Sequence, residues 1–201
     1  MVRDFETGGF PIKVLLTDKY PNTRAFTTAR CVPGGLFEYC PEPVYATCVP
    51  GNLTGFRTLF SAFHHFRPPA ASAILKDAVN CRQGIAIFEV TQRTSWAVFN
   101  FFLTSLLVPF CVPFIRPFRW SRLAWTYLVP IAPAVILFDS LASCLRTYSP
   151  DELQEMAEGT GAKGYTWEAG EVKAAHAPVP ITYLLGYPAR VQEGGTKTGR
   201  T

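Results

Sequence analysis

Short apolar runs separated by turn residues dominate the first 94 residues of the chain. Their lengths and their β-branched, aliphatic and aromatic content predict strands at residues 12–16, 37–39, 44–47, 56–60 and 85–90. We expect helices at 22–30 and, behind Pro68 and Pro69, at 70–80, where apolar residues recur at helical spacing. Continuously apolar strands that alternate with helices are typical of a parallel sheet covered on both faces, so the pattern predicts an α/β fold.

The chain returns to this pattern after residue 146. Ser149 is placed to cap a helix whose first turn holds Pro150, and Gly159 or Gly161 ends it. The runs YTWEAGEVK and ITYLLGY then predict two closing strands. The tail, residues 191–201, is rich in Gly, Lys and Thr, a composition that predicts disorder.

An apolar region, residues 95–146, separates these two parts of the chain. Its first run, WAVFNFFLTSLLVPFCVPFI, carries no charge over 20 residues. This is about the length that a membrane-spanning helix requires. Pro109 and Pro113 each remove a backbone donor, so we expect the first helix of the region to end near Val108.

The second apolar run, residues 123–145, is less continuous, because Pro130 and Pro133 interrupt it. Asp139 would cost about 3 kcal/mol if it were placed in hydrocarbon. Between the runs, arginine alternates with aromatic residues, a pattern that favours a lipid headgroup layer; the residues are Arg116, Arg119, Trp120 and Arg122. Three interpretations stay open: a hairpin that dips into one leaflet or covers an apolar substrate, two membrane spans, or ordinary protein core.

Composition and charge narrow the partners. Hydrophobic residues make up 48% of the chain, and the net charge is +4. This charge favours an anionic surface such as phospholipid headgroups and is too small to predict nucleic-acid binding. The six cysteines show neither CxxC nor metal-type pairing with histidine, so we expect reduced thiols and no metal. Because no apolar core follows a basic start at the N-terminus, we expect no signal peptide and a cytoplasmic, membrane-associated protein.

Polar side chains that can carry chemistry lie at or just after the predicted strands. They are Asp18, His64, His65 and Glu89, and strand ends of this kind meet at one edge of a parallel sheet. A neutral imidazole there can take a proton from a substrate, although a histidine can equally pack under the sheet or hydrogen-bond a loop. Glu89 is suited either to orient substrate or to cap the next turn.

The order of these elements resembles the class I S-adenosylmethionine-dependent methyltransferase family. The matching segments are LLTD, FRTLFSAFHHF, IAIFEV, SPDELQEMAEGTG and the two closing strands. The resemblance implies a partial Rossmann-like methyltransferase sheet, mostly parallel with an antiparallel closing strand. Residues 1–94 and 147–190 would form this α/β domain, with residues 95–146 as an inserted apolar helical hairpin. The family's glycine-rich turn has no counterpart before Ile12, so we expect a chain that begins inside the domain or a degenerate relative.

The resemblance also implies roles for individual residues. Asp18 would hold the ribose of the cofactor, S-adenosylmethionine, and Ser61 would contact the cofactor from the loop after the fourth strand of the family. Tyr45 stands where the family often has an acid that contacts the adenine. His64 or His65 would assist removal of a proton from the methyl acceptor.

The expected function is methyl transfer from S-adenosylmethionine to a hydrophobic or membrane-associated acceptor, for example a lipid-like small molecule held by the hairpin. Because the glycine-rich turn is missing, the same reading allows an inactive relative. The alternative is a non-enzymatic integral membrane protein with two transmembrane helices and a soluble appendage.

Overall fold

The computed structural model describes residues 12–173 and 179–189. The chain divides into two compact units, one ending at Thr54 and one beginning at Gly55. The tail that the sequence predicts to be disordered, residues 191–201, lies outside the described residues, and the proposed division into an α/β domain with an insertion stays a prediction.

The first unit pairs two short parallel strands. Strand β1 (Val14–Leu16) lies beside β2 (Phe37–Tyr39). Helix α1 (Thr23–Arg30) connects them, and the side chain of Asn22 caps its first turn by accepting a backbone N–H at 3.1 Å. Both strands therefore end at the same edge of this small sheet.

One strand predicted in this unit, residues 44–47, does not form. The segment makes a tight turn with an isolated bridge between Tyr45 and Cys48. Pro43 and Pro50 flank it, and proline cannot donate a hydrogen bond to a strand ladder. The prediction of a strand at this position is therefore wrong.

The second unit contains the longer elements, and most lie where the sequence predicts them. Its strands are β3 (Arg57–Phe60), β4 (Ile85–Glu89), β5 (Tyr165–Val172) and β6 (Ile181–Pro188). Its helices are α2 (Pro68–Asn80), α3 (Ser95–Cys111), α4 (Trp120–Leu123), α5 (Ile131–Arg146) and α6 (Pro150–Glu158).

The strands of the second unit form a sheet in the order β3-β4-β6-β5. Strands β3 and β4 are parallel neighbours, whereas β6 runs antiparallel to both β4 and β5, as expected of a closing strand. No described strand hydrogen-bonds to both β1 and β3. The described part of the chain therefore has a mixed α/β fold with two sheets in place of the single sheet that the sequence predicts.

Strand β4 lies at the centre of the hydrophobic core. Ile85 and Ile87 are fully buried on one face, and Ala86 is buried on the other. Helix α2 adds Ile74 and Leu75, which are also fully buried. Burial on both faces explains why this strand is a continuous apolar run rather than an alternating one.

Polar contacts connect the two ends of the apolar region, residues 95–146. Ser149 and Glu152 form a capping box at the start of α6, with hydrogen bonds of 3.2 and 2.8 Å. Arg93 donates to the Glu152 carboxylate at 2.6 Å and to the carbonyl of Thr147 at 2.6 Å. The backbone hydrogen bond from Ser149, together with Arg93, lowers the pKa of Glu152. These bonds hold the residues just before the apolar region next to the residues just after it.

Helix α3 continues through Pro109 into a 3-10 turn that ends at Phe114, so the prediction that it ends near Val108 is wrong. A proline has no N–H for the carbonyl four residues earlier. Pro113 therefore leaves the carbonyl of Pro109 without its usual helical partner, and the hydroxyl of Tyr127 donates to that carbonyl instead. The neighbouring limb of the hairpin replaces the missing bond.

Replacement of Ser149 by Ala tests the cap of α6. The variant loses the acceptor for a backbone N–H of the first helical turn, so we expect the free energy of unfolding to fall by about 1 kcal/mol. Denaturant unfolding in mild detergent, followed by tryptophan fluorescence, measures this. Ser149→Thr keeps the hydroxyl and should match the parent. An Ala variant as stable as the Thr variant would argue against the capping role.

Candidate functional site

The candidate site lies at the C-terminal ends of β3 and β4. A 3-10 turn, Phe63–His65, follows β3, and β4 ends at Glu89. Parallel neighbours end at the same edge of a sheet, which brings the turn and Glu89 together. Edges of this kind are the usual place for ligands in α/β proteins.

Glu89 and His64 form a buried pair. Glu89 is 0% exposed and His64 is 5% exposed. One carboxylate oxygen lies 2.6 Å from Nδ1 of His64, and the other accepts the backbone N–H groups of Phe63 at 2.6 Å and of His64 at 3.3 Å. Because a carboxylate accepts at every contact, Nδ1 carries a proton, and in the neutral ring the lone pair is then on Nε2. The described residues give Nε2 no hydrogen-bond partner, so it is the nitrogen available to a substrate.

His65 and Ser61 flank this pair. The His65 side chain is exposed, and its ring centroid lies 4.2 Å from that of His64. Ser61 has a φ of 46°, unusual for a residue with a side chain, and its N–H donates to the carbonyl of Phe88 at 2.7 Å. Strained backbone of this kind concentrates at functional sites. Ser61 therefore lies at the same strand end as the 3-10 turn, and its contact with a cofactor stays a prediction.

The sequence placed Glu89 at the correct edge but did not reveal its partner. Of the four predicted site residues at strand ends, the structure brings His64, His65 and Glu89 together and places Asp18 in the other unit. A strand that ends in a glutamate beside a strand followed by histidine was the available signal. The pairing depends on strand register, which no local pattern contains.

In the first unit, Asp18 and Tyr45 lie at the edge where β1 and β2 end. Oδ1 of Asp18 accepts the N–H of Tyr20 at 2.9 Å, and its backbone carbonyl accepts the N–H of Val44 at 2.9 Å. This second bond brings the loop that carries Tyr45 beside Asp18. Oδ2 of Asp18 has no partner among the described residues, and both side chains are exposed.

Lys19 lies over the aromatic rings of Tyr20 and Tyr45, which with Asp18 form an exposed patch at this edge. Its Nζ lies 5.0 Å from the ring centroid of Tyr20 and 5.5 Å from that of Tyr45, within the range of cation–π contacts. A hydrogen bond with Tyr20 is the main cause of the raised pKa of Lys19. The patch offers one uncommitted carboxylate oxygen and an exposed aromatic ring, the groups that can bind a diol and a flat heterocycle.

The apolar hairpin, residues 95–146, reaches the histidine site. Helix α5 contacts the 3-10 turn that carries His64 and His65. Tyr148, just after α5, donates to the carbonyl of Phe66 at 2.7 Å, and its ring centroid lies 5.7 Å from that of Phe63. Burial raises the pKa of Tyr148. These contacts fix the C-terminal end of the hairpin beside the turn that carries His64.

The predicted membrane-interface residues lie at the tip of the hairpin. The side chains of Arg116, Arg119 and Trp120 are exposed, and Nη1 of Arg122 donates to the carbonyl of Ile115 at 3.0 Å. Within the described chain, the continuous helical segment Ser95–Phe114 is long and apolar enough to cross a membrane. A second limb would qualify if its two parts, which are bent by 74° relative to each other, count as one span.

The described residues give no support for a metal site or a disulfide. Among residues 12–173 and 179–189, no group of histidine, cysteine and acidic side chains is arranged to hold a metal ion. The six cysteines all lie in these ranges, and none forms a disulfide.

The sequence matches no protein-family model and no curated protein. Solved structures of similar fold include one described as a pericyclic reaction enzyme, with 16% identity and a TM-score of 0.52 over 93% of this chain and 39% of that chain. LepI in complex with S-adenosylmethionine gives 16% identity and a TM-score of 0.51 over 92% of this chain and 39% of LepI. A LepI variant in complex with S-adenosylhomocysteine and a substrate analogue gives 16% identity and a TM-score of 0.50, over 92% of this chain and 38% of the variant.

At this identity the likeness shows a shared fold. This chain spans about two fifths of the length of those proteins, so it corresponds to part of each of them.

Replacement of Glu89 by Gln tests the buried pair. The amide keeps one oxygen for the N–H of Phe63 and turns its NH₂ group toward His64, so the proton of the neutral ring should move from Nδ1 to Nε2. Long-range ¹H–¹⁵N spectra of the histidine rings distinguish the two tautomers, and loss of signals in His64→Ala assigns them. Glu155→Gln, an exposed acid on α6, should leave the spectrum unchanged. The same tautomer in parent and Glu89→Gln would refute the pairing.

Proposed function

We propose that this protein is an S-adenosylmethionine-dependent methyltransferase-like enzyme with a Rossmann-like sheet, acting on a hydrophobic or membrane-associated acceptor. The observation that carries the proposal is the His64–Glu89 pair, which leaves Nε2 available at the ligand-binding edge beside an apolar hairpin. The fold likeness to LepI, described in complex with S-adenosylmethionine and S-adenosylhomocysteine, supports the choice of cofactor.

The edge of the first unit fits the nucleoside part of this cofactor. The uncommitted oxygen of Asp18 can accept a hydrogen bond from a ribose hydroxyl, and the exposed ring of Tyr45 can stack on an adenine. Ser61, at the end of β3 in the second unit, is a separate candidate for a cofactor contact. The contacts of Asp18 and Tyr45 would hold the nucleoside without any acidic residue at the adenine.

Proton removal is the step that the chain itself would supply. When bound, S-adenosylmethionine provides an electrophilic methyl group on a positively charged sulfur. Nε2 of His64 would accept the proton that the acceptor oxygen or nitrogen loses as its new bond to carbon forms. The carboxylate of Glu89 would stabilise the resulting imidazolium and hold the ring in place. The exposed ring of His65, 4.2 Å away, would let the proton leave to solvent.

A non-enzymatic membrane protein is the second candidate function. The exposed apolar segment Ser95–Phe114 favours it, because a soluble enzyme has no need of such a surface. The buried His64–Glu89 pair favours the enzyme, since burial of a carboxylate is costly and a structural role at this position could be filled by apolar residues.

Binding of S-adenosylmethionine distinguishes the two functions. Calorimetric titration of the chain in mild detergent should show saturable binding, and Asp18→Ala should weaken it by about 10- to 100-fold through loss of a charged hydrogen-bond acceptor. Asp18→Asn retains an oxygen for the N–H of Tyr20 and so controls for folding of the loop. It should also bind weakly, because the neutral amide is a poorer acceptor. Absence of binding by the parent, or equal binding by all three proteins, would reject the cofactor site.

A further inference from the structure

One side of α3 is apolar and uncovered. Its exposed residues include Phe99, Phe102, Leu103, Leu106 and Phe110, and Phe110 is 74% exposed. Helical geometry places these residues on one half of the circumference. The other half carries Ala97 and Ser105, which are buried. In water such a face is unfavourable by about 25 cal/mol for each Å² of apolar surface, so it requires a partner.

The length of this face matches a bilayer. The segment Ser95–Phe114 has 20 residues, which is about 30 Å of helix and about the thickness of a hydrocarbon core. Trp96 stands at its start and Trp120 just beyond its end, and they are 63% and 78% exposed. Tryptophan favours the two interfaces of a membrane, so the positions of both residues fit a crossing helix.

The hydroxyls of Ser105, Thr126 and Tyr127 have partners inside the hairpin, as a hydrocarbon environment demands. The hydroxyl of Ser105 donates to the carbonyl of Pro133 at 2.7 Å, and that of Thr126 to the carbonyl of Arg122 at 2.8 Å. Tyr127 fills the gap left by Pro113, as described above. Unpaired backbone or hydroxyl groups would each cost several kcal/mol in lipid.

Asp139 lies close to the end of the hairpin nearest the sheet. The bond between Ser105 and Pro133 sets these residues at one level, where α5 packs along α3. Asp139 is six residues beyond Pro133, about 9 Å toward the sheet, whereas α3 extends about 15 Å in that direction from Ser105 to Ser95. The Cα atom of Asp139 therefore lies about 6 Å inside the start of α3, close to the near headgroup layer.

The tip of the hairpin, residues 115–122, and its two ends next to the sheet, near residues 93 and 147, have different contacts. From Ser95 to Phe138 the chain contains no acidic residue, so the arginines at the tip are complementary in charge to lipid phosphates. At the two ends, the hydroxyl of Thr147 donates to that of Thr91 at 2.8 Å, and Arg93 holds the carbonyl of Thr147. These bonds hold the two ends of the hairpin together next to the sheet.

We infer that residues 95–146 cross a lipid bilayer as a hairpin whose tip arginines, Arg116, Arg119 and Arg122, contact phosphates of the far headgroup layer. Trp96 marks the near interface, and Trp120 marks the far one. This arrangement is independent of methyl transfer, and it would place the histidine site at the membrane surface on the side of the sheet.

Sealed vesicles test the crossing. The full chain is added from detergent to preformed vesicles of phosphatidylcholine and phosphatidylglycerol, in variants that keep either Trp96 or Trp120 and carry Phe at the other tryptophans. Iodide does not cross the bilayer, so external iodide should quench Trp96 and spare Trp120, and iodide on both sides should quench both. Quenching of both by external iodide would overturn the crossing. Failure of the parent chain to float with vesicles would overturn any insertion.

Charge removal tests the role of the tip. Arg116→Gln/Arg119→Gln/Arg122→Gln should reduce partitioning into vesicles containing phosphatidylglycerol by on the order of 10-fold or more, with little change for phosphatidylcholine alone. The matched control, Arg24→Gln/Lys76→Gln/Lys163→Gln, removes the same charge from exposed residues outside the hairpin. Equal losses in both variants would reject a specific phosphate contact. Both readouts measure lipid contact without S-adenosylmethionine, so they can fail independently of the proposed enzyme activity.

Discussion

The buried contact between Glu89 and His64 is the interaction on which the candidate site depends. A carboxylate removed from water costs several kcal/mol unless donors surround it, and here the 3-10 turn after β3 supplies them from two backbone N–H groups and one imidazole. The contact therefore holds the turn against the end of β4 and fixes the tautomer of the ring. Loss of the carboxylate would release both the turn and the orientation of Nε2.

The hairpin is attached to this site rather than merely inserted in the sequence. Arg93 and Thr147 bring its two ends together, and Tyr148 packs on Phe63, the residue before His64. A partner that binds the apolar limbs would thus lie next to the buried pair. The proposed function uses this contact, because it places the apolar surface of the protein beside the histidine.

Local patterns in the sequence were sufficient to predict most of the helices and strands. The continuous run at β4 and the cap at Ser149 identify their elements because burial and capping are short-range requirements. Long-range contacts could not be predicted from local patterns. The partner of Glu89 depends on strand register, and the carbonyl of Pro109, which Pro113 leaves without a helical partner, accepts from Tyr127 in another part of the hairpin. Division of the strands into two sheets is likewise a matter of pairing and not of local preference.

Methyl transfer itself is the central claim, and one assay addresses it directly. Membranes containing the full chain are incubated with S-adenosylmethionine labelled in the methyl group, and the label in organic-extractable material is counted for the parent and for His64→Gln. Gln can still donate a hydrogen bond to Glu89 but cannot act as a base. The account predicts labelled product for the parent and a loss of about 100-fold or more for the variant. Equal labelling by the two proteins, or none by either, would contradict it.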